Sequence, residues 1–392
     1  MSDWVTAKLK DVAKVVTGKT PQTSNSEYYG GDIPFVSPAD LNEGILSETK
    51  TYLTSSGADQ VYRVPKNTVL VSCIGNLGKL AITAKEVCFN QQINGLIFDE
   101  QKIFPKYGFY FAQTIKPQLE KASSSTTLPI VNKSRFSDLE IKYPPLAEQR
   151  RIASILDQAD ELRQKRQQAI EKLDQLLQAT FIDMFGDPVS NPKGWRSDKN
   201  LGDVADIVSG ITKGRKITGK SLREIPYLAV SNVQDKYLNL SIIKTIEASD
   251  DEIERYRLKQ GDLLLTEGGD PDKLGRGTLW NNEVDECIHQ NHVFRVRLTS
   301  KEFTPNYLNW IVGSEYGKRY FLKSAKQTTG IASINMGQLK KLPLLTPPLD
   351  LQIQFDERCI KIHQIKNQLV DSYKDINHLF SSLQNQAFNG TL

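Results

Sequence analysis

The chain is written twice. Pro144-Pro145-Leu146-x-x-Gln149 returns 203 residues later as Pro347-Pro348-Leu349-x-x-Gln352, and Asn132 returns as Asn335 at the same offset. Further forward, Leu9-Lys10-Asp11-Val12-Ala13 returns as Leu201-Gly202-Asp203-Val204-Ala205, and Ile33-Pro34-Phe35-Val36 as Ile225-Pro226-Tyr227-Leu228, both 192 residues on. Between these anchors, Pro105-x-Tyr107 matches Pro305-x-Tyr307 and Cys88-x-x-Gln91 matches Cys287-x-x-Gln290. Ordered matches with a slowly growing offset are the mark of a duplicated unit with loop insertions in the second copy. For 392 residues, that means two copies of one plan rather than two unrelated domains.

Each copy has two parts. The first reads as short apolar runs between Gly, Pro, Asn and Ser, such as Val69 to Ile74, Gly95 to Phe98, Asp262 to Thr266 and Val293 to Arg297. These are strands bounded by turns, with one helix-like stretch each, near 107–121 and 307–326. The second part has no Pro or Gly for about 40 residues. A mainly apolar series recurs at spacing 4,3: Ile152, Leu156, Ala159, Arg163, Arg166, Ile170, Leu173, Leu177 in the first copy, and Phe355, Cys359, Ile362, Lys366, Leu369, Tyr373, Ile376, Phe380, Leu383 in the second, with Arg163, Arg166 and Lys366 as polar members. Sustained 3.5-residue spacing is the coiled-coil signature. The proline pairs suit a helix start, and Gly186 and Gly390 suit its end. A helix this long spans ~60 Å.

The expected fold class is therefore α+β. Two pseudo-symmetric domains, 1–143 and 186–346, are separated by two long helices, 144–185 and 347–392. The helices pair with each other as an antiparallel coiled coil, with Ile152, Leu156, Ile170, Leu173 and Leu177 of one seam against Phe355, Ile362, Leu369, Ile376 and Leu383 of the other. The competing arrangement packs each helix on its own domain. It leaves long apolar stripes in water, which soluble proteins avoid.

Catalytic signatures are missing. No Gly-x-Gly-x-x-Gly follows a strand, and Tyr143-Pro144-Pro145 and Thr346-Pro347-Pro348 lack the Asn/Asp-Pro-Pro-aromatic loop of amino methyltransferases. Gly75-Asn76-Leu77-Gly78-Lys79-Leu80 is two residues short of a phosphate loop and lacks its Ser/Thr, so it reads as a strand-end turn. Cys287-x-His289-x-x-His292 is too small for a structural zinc site, and no histidine stands in the matching first-copy segment; no metal is expected. The four cysteines are scattered, and the N-terminus has no secretory h-region. No run approaches a membrane span. Together these predict a reduced, cytoplasmic protein that is not catalytic by itself.

The net charge of +4, from 50 Lys and Arg against 46 Asp and Glu, is too small to announce a polyanionic partner. Its distribution says more. The two globular parts carry +2 and +4, and the helical parts −1 each. In the second copy Lys213, Arg215, Lys216, Lys220 and Arg223 fall in one Gly-containing stretch without an acid, which suits contact with phosphates. A second basic cluster is Lys318, Arg319, Lys323 and Lys326. The equivalent first-copy loop offers Lys19, Thr20, Gln22 and Asn25. Base reading needs amides, hydroxyls or cations at base edges. Candidates lie in matched polar segments: Asn90, Gln91 and Gln92 with Gln290 and Asn291, and Thr126 with Thr329. A solvated surface remains the other reading of the basic groups, and turn capping that of the matched polar ones.

With these residues in place, the whole chain resembles the specificity subunit of type I DNA restriction-modification enzymes. The likeness rests on two domains, each followed by Pro-Pro-Leu-x-x-Gln and a long helix. It also rests on Thr17-Gly18-Lys19-Thr20-Pro21, Tyr28-Tyr29-Gly30-Gly31 and Ile33-Pro34-Phe35-Val36, which look like that family's opening motif. Gly210-Ile211-Thr212-Lys213 lacks the Thr-Pro, so the motif does not carry over to the second copy. The resemblance implies two target-recognition domains on double-stranded DNA, each reading half of a split site. It implies helices that set the gap and dock two modification (methyltransferase) subunits, and restriction (motor-nuclease) subunits in the full complex. S-adenosylmethionine, ATP and Mg²⁺ would then sit on those partners and no cofactor on this chain. The competing function is a duplicated coiled-coil adaptor whose domains bind protein; steep salt dependence of DNA binding separates the two. A fused reader-methyltransferase is opposed by the missing catalytic loop.

Overall fold

The computed structural model describes residues 4–124, 128–215, 221–269, 273–328 and 331–392. The chain forms two compact units, Met1–Gln168 with Asp371–Leu392, and Ala169–Val370. Among the described residues no helix is long and apolar enough to cross a membrane.

In the first unit a five-stranded sheet runs in the order Ala13–Thr17, Ile93–Phe98, Val69–Ser72, Leu80–Thr83, Ile45–Leu46. Val69–Ser72 and Leu80–Thr83 are buried at every position, because both faces of the sheet are covered. Val69, Val71, Leu80 and Ile82 point into a core shared with Tyr107, Phe111 and Leu119 of the helices Pro105–Ala112 and Lys116–Ala122. Leu70 and Ala81 point the other way, into a smaller core with Val36, Val64, Val87 and Phe89. Period-2 alternation assigns the faces. A second sheet is ordered Thr51–Leu53, Tyr29–Val36, Val87–Phe89, Arg63–Val64, its strands interleaved in the chain with those of the first.

The second unit repeats this plan. Its sheet is ordered Ala205–Ser209, Val293–Leu298, Leu263–Thr266, Gly277–Leu279. Leu263 and Leu265 enter the large core and Leu264 the small one. The companion sheet is Lys244–Ala248, Arg223–Leu228, Ile288–His289. The single helix-like stretch expected in each copy is in fact two helices, here Pro305–Gly313 and Glu315–Ser324. Ser314, extended between them, breaks the run.

The two long helices are Leu146–Phe185 and Leu349–Asn389. Each ends at a glycine with φ +79°, Gly186 and Gly390, a conformation in which a side chain is strained. The starts are fixed by the repeated glutamine. Gln149 is fully buried. Its Oε1 accepts from Phe104 N–H at 2.8 Å, and its Nε2 donates to the carbonyls of Lys102 and Pro144, both at 2.8 Å. Gln352, also fully buried, does the same with Thr304 N–H and the carbonyls of Glu302 and Pro347, all at 3.0 Å. The Pro-Pro-Leu-x-x-Gln motif is thus a clamp that ties the helix start to the loop entering the preceding helix pair.

Within each unit the two helices run antiparallel. In the first, Arg151 donates to the Leu392 carbonyl at 2.8 Å and the Arg163 guanidinium lies 4.6 Å from the Phe380 ring centre. In the second, Lys366 pairs with Asp174 at 2.5 Å, and Phe355 packs edge-on against Phe181 and Phe185. Ile152, Leu156, Ile170, Leu177, Phe355 and Ile362 are buried, and Leu173, Leu369, Ile376 and Leu383 half-buried. Helix pairing and packing on the domain are not alternatives here. Ile152, Leu156, Phe380 and Ala387 belong to the core of the first unit, and Leu177, Phe181, Phe355 and Cys359 to that of the second.

Candidate nucleic-acid interface

In each unit the opening loop and the polar turn come together, because a glycine lets two backbones touch. A Cβ on Gly18 would lie 2.2 Å from the Asn90 carbonyl, and one on Gly210 1.9 Å from the His289 carbonyl. The next residue then pairs: Lys19 N–H donates to the Phe89 carbonyl at 3.0 Å and Ile211 N–H to the His289 carbonyl at 2.8 Å. No larger residue fits, so these glycines serve contact more than flexibility.

This pairing fixes which residues correspond. Phe35 and Val36 face Cys88 and Phe89, while Tyr227 and Leu228 face Ile288 and His289. The offset is therefore 200, whereas matching Cys88 with Cys287 gives 199. Asn90 corresponds to Gln290, Gln91 to Asn291 and Gln92 to His292. The sequence match aligned identical letters one residue out of register; strand pairing decides it. The adjacent strand gives a second set: Val69 and Leu263 face Leu96 and Val296, and Ser72 and Thr266 face Ile93 and Val293. Cys73 therefore corresponds to Glu267. The backbone agrees, since Cys73 N–H donates to the Gln92 carbonyl and Glu267 N–H to the His292 carbonyl.

In the first unit, Thr20 Oγ1 donates to Gln91 Oε1 at 2.6 Å, joining loop to turn. Asn90 Oδ1 accepts from Gln92 N–H at 3.1 Å and so shapes the turn itself. Asn25 caps the short 3₁₀ turn Ser26–Tyr28, and Gln22 holds Ser24. Lys19 and Gln91 are exposed. Val131 N–H donates to the Cys73 carbonyl at 2.9 Å and Gly75 N–H to the Pro129 carbonyl. The turn 74–78, which sequence alone leaves as a strand end, therefore borders the same surface with Asn76 exposed. Thr126 and its partner in the repeat, Thr329, lie outside the described residues, as do Lys216 and Lys220.

In the second unit the described cations of the basic stretch are mostly paired. Arg215 makes two bonds to Glu252, at 2.6 and 2.8 Å, and one to the Glu247 carbonyl. That fork holds the Glu252 carboxyl down to about 2 and raises Arg215. Arg223 grips Glu286 through both terminal nitrogens and also reaches Asp250; Arg223, with Arg257 beside it, holds Glu286 down to about 2. The local sequence holds no acid, but the fold imports three. Lys213 is exposed, its Nζ 5.3 Å from the Tyr227 ring centre. In the helix Glu315–Ser324, Arg319 pairs with Glu315 and Lys318 lies 3.7 Å from Asp235.

Gln290 and Asn291 are half-buried, and Asn291 N–H donates to the Ile211 carbonyl. His289 is fully buried and donates Nδ1–H to the Val293 carbonyl; burial holds it down to about 4, so it stays neutral. His292 is exposed, and its Nδ1 is 2.7 Å from Glu267 Oε2. Sequence reading considered this histidine only as a metal ligand and missed the glutamate, which precedes it by 25 positions. Among the described residues no group of three or more His, Cys, Asp or Glu could hold a metal. Cys73, Cys88, Cys287 and Cys359 are all buried and free.

Comparison with known proteins identifies the scaffold. Residues 1–172 and 192–370 match the type I restriction modification DNA specificity domain. The StySPI specificity subunit of Salmonella potsdam is 23 % identical over 99 % of this chain and 89 % of its own length. The EcoKI specificity subunit of Escherichia coli K12 is 22 % identical over the same shares. The MjaIX specificity subunit of Methanocaldococcus jannaschii is 29 % identical over 59 % of this chain; the match spans 58 % of that protein, under two thirds of it. Among solved structures, the S subunit of a type I restriction-modification system from M. genitalium matches over 99 % of this chain and 96 % of its own, with TM-score 0.55 and 14 % identity. A chain from a structure of type I system assembly gives 0.56, with 17 % identity and 98 % of its length covered. The structural likeness is one of fold. The domain match takes in most of both copies, and the chain belongs to the type I restriction-modification DNA specificity family.

Proposed function

We propose that this chain is the DNA-reading subunit of a type I restriction-modification complex, each unit reading one half of a bipartite site. One observation carries the proposal: equivalent positions on one scaffold bear different side-chain chemistry. Gln92 stands where the second unit has His292, and Cys73 where it has Glu267. Two copies selected to bind the same partner would keep the same surface. Two readers of different half-sites need different ones.

The long helices act as the spacer and as the dock for two modification subunits. Leu349, Ile353 and Ile360 are exposed apolar residues on the second helix, and Leu176 and Ile182 on the first; apolar side chains in water on a charged helix suit a protein partner. Modification subunits bring S-adenosylmethionine and methylate adenine; motor-nuclease subunits bring ATP and Mg²⁺. This chain does no chemistry itself and works where its DNA and partners are, in the cytoplasm. Among the described residues of the basic stretch, phosphate contact falls to Lys213 and to the arginines, which exchange an internal acid for a phosphate.

The test is to map methylated adenines in cells carrying the complete system, with and without this subunit. Methylation confined to one split motif, and lost without the subunit, is expected. In vitro, affinity for that motif falls steeply with salt. Methylation that does not depend on the subunit, or salt-insensitive binding, would favour the protein-adaptor reading.

A further inference from the structure

The Glu267–His292 pair is an addition of the second unit. The scaffold does not require a carboxylate there, since Cys73 occupies the equivalent place at 2 % exposure in the first unit. In the second unit the carboxylate and imidazole side chains are 33 % and 56 % exposed. An exposed pair of this kind adds little to stability, and a carboxylate on a DNA-facing surface repels phosphate. Its effect is geometric. Nδ1 lies 2.7 Å from Glu267 Oε2; this contact fixes the ring plane, and in the neutral ring it places the proton on Nδ1 and the lone pair on Nε2. Asn291 Nδ2 sits 3.4 Å from that Nε2, a long contact that a base amino group displaces to reach the same lone pair. The pair stands where the turn 289–292 meets Ile211 of the opening loop and the short strands Gly268–Gly269 and Ile331–Ser333, so three elements present it together.

We propose that His292 is a specificity-determining residue of the second unit. Glu267, a positioning residue, holds the ring so that Nε2 accepts a hydrogen bond from the exocyclic amino group of one base in the major groove, adenine N6 or cytosine N4. Guanine and thymine offer carbonyl oxygens on that edge, and a lone pair aimed at an oxygen repels it. The second half-site therefore contains a base pair selected for an amino group at a fixed position by a ring nitrogen, where the first unit presents the Gln92 amide instead. This assignment rests on the DNA-reading function proposed above.

The experiment is selection from a library of random DNA duplexes by the complete complex, carrying the native chain, H292A, E267A or E267Q, with the bound DNA sequenced. The native profile shows whether adenine or cytosine is the base. H292A and E267A are expected to lose about tenfold of the preference at that one base pair, with the other half-site unchanged. E267Q, whose amide oxygen still accepts from Nδ1–H, keeps most of it. Profiles of H292A and native that coincide would overturn the assignment. So would a loss spread evenly over the whole second half-site, which marks a structural pair. A native complex that selects no sequence removes the DNA-reading function itself, and the assignment with it.

Discussion

At the residue scale, the side chains that repeat most faithfully are those that build the scaffold. Gln149 and Gln352 each satisfy one N–H and two carbonyls inside a core. Truncating Gln352 to Ala leaves two buried groups, Thr304 N–H and the Pro347 carbonyl, and the part-buried Glu302 carbonyl without this partner, each at a cost in free energy. Q352A is expected to destabilise the second unit by about 3 kcal/mol, read as a shift in the denaturant midpoint, and Q149A to do the same for the first. A change under about 0.5 kcal/mol in both would mean that water or a neighbour takes over the bonds. The repeat made these glutamines visible in the sequence, but not their task, because two of the three partners of each lie 45 to 50 residues away in the chain. The acids that neutralise Arg215 and Arg223 were hidden for the same reason. Glu252 and Glu286 are 37 and 63 positions on, so both arginines of a stretch without acids in sequence are ion-paired in space.

At the element scale, the helices were legible because their periodicity is long and local: forty residues without a breaker at 4,3 spacing leave little choice. What periodicity does not carry is where each seam changes partner. Midway the seams are half-buried and polar, with Arg163, Arg166 and Lys366, while the ends sink into globular cores. The polar middle is the natural place to change the length of the spacer. Inserting one heptad into both helices, after Gln168 and before Asp371, keeps the seam pattern and adds ~10 Å of helix. If the helices set the gap, the native site is no longer methylated, and the selected motif keeps both half-sites with a gap about three base pairs longer. A motif with its gap unchanged would refute the spacer role.

At the scale of the whole molecule, duplication separates two tasks that sequence alone runs together. What is common to both copies makes strands, clamps and helix starts; what differs, at Cys73 and Glu267 or Gln92 and His292, is free to specify. Letter matching blurred this by setting Cys88 against Cys287, and only strand register put the differing residues opposite one another. The same division governs how the reader can be exchanged. Replacing residues 1–143 by the corresponding domain of another family member is expected to change one half-site and leave the other. Yet the core of the first unit also contains Ile152 and Leu156 of one helix and Phe380 and Ala387 of the other, and Tyr107 and Phe111 pack on Phe388. A graft of 1–143 alone meets a foreign helix end, and mismatched core volumes cost about 1–3 kcal/mol. The chimera should therefore melt lower than its parents, and carrying the donor's residues 144–168 and 371–392 along with 1–143 should restore the melting temperature without further change in the motif. If the short graft is as stable as the long one, the helix ends do not belong to the reader. If either graft alters both half-sites, the two units do not read independently.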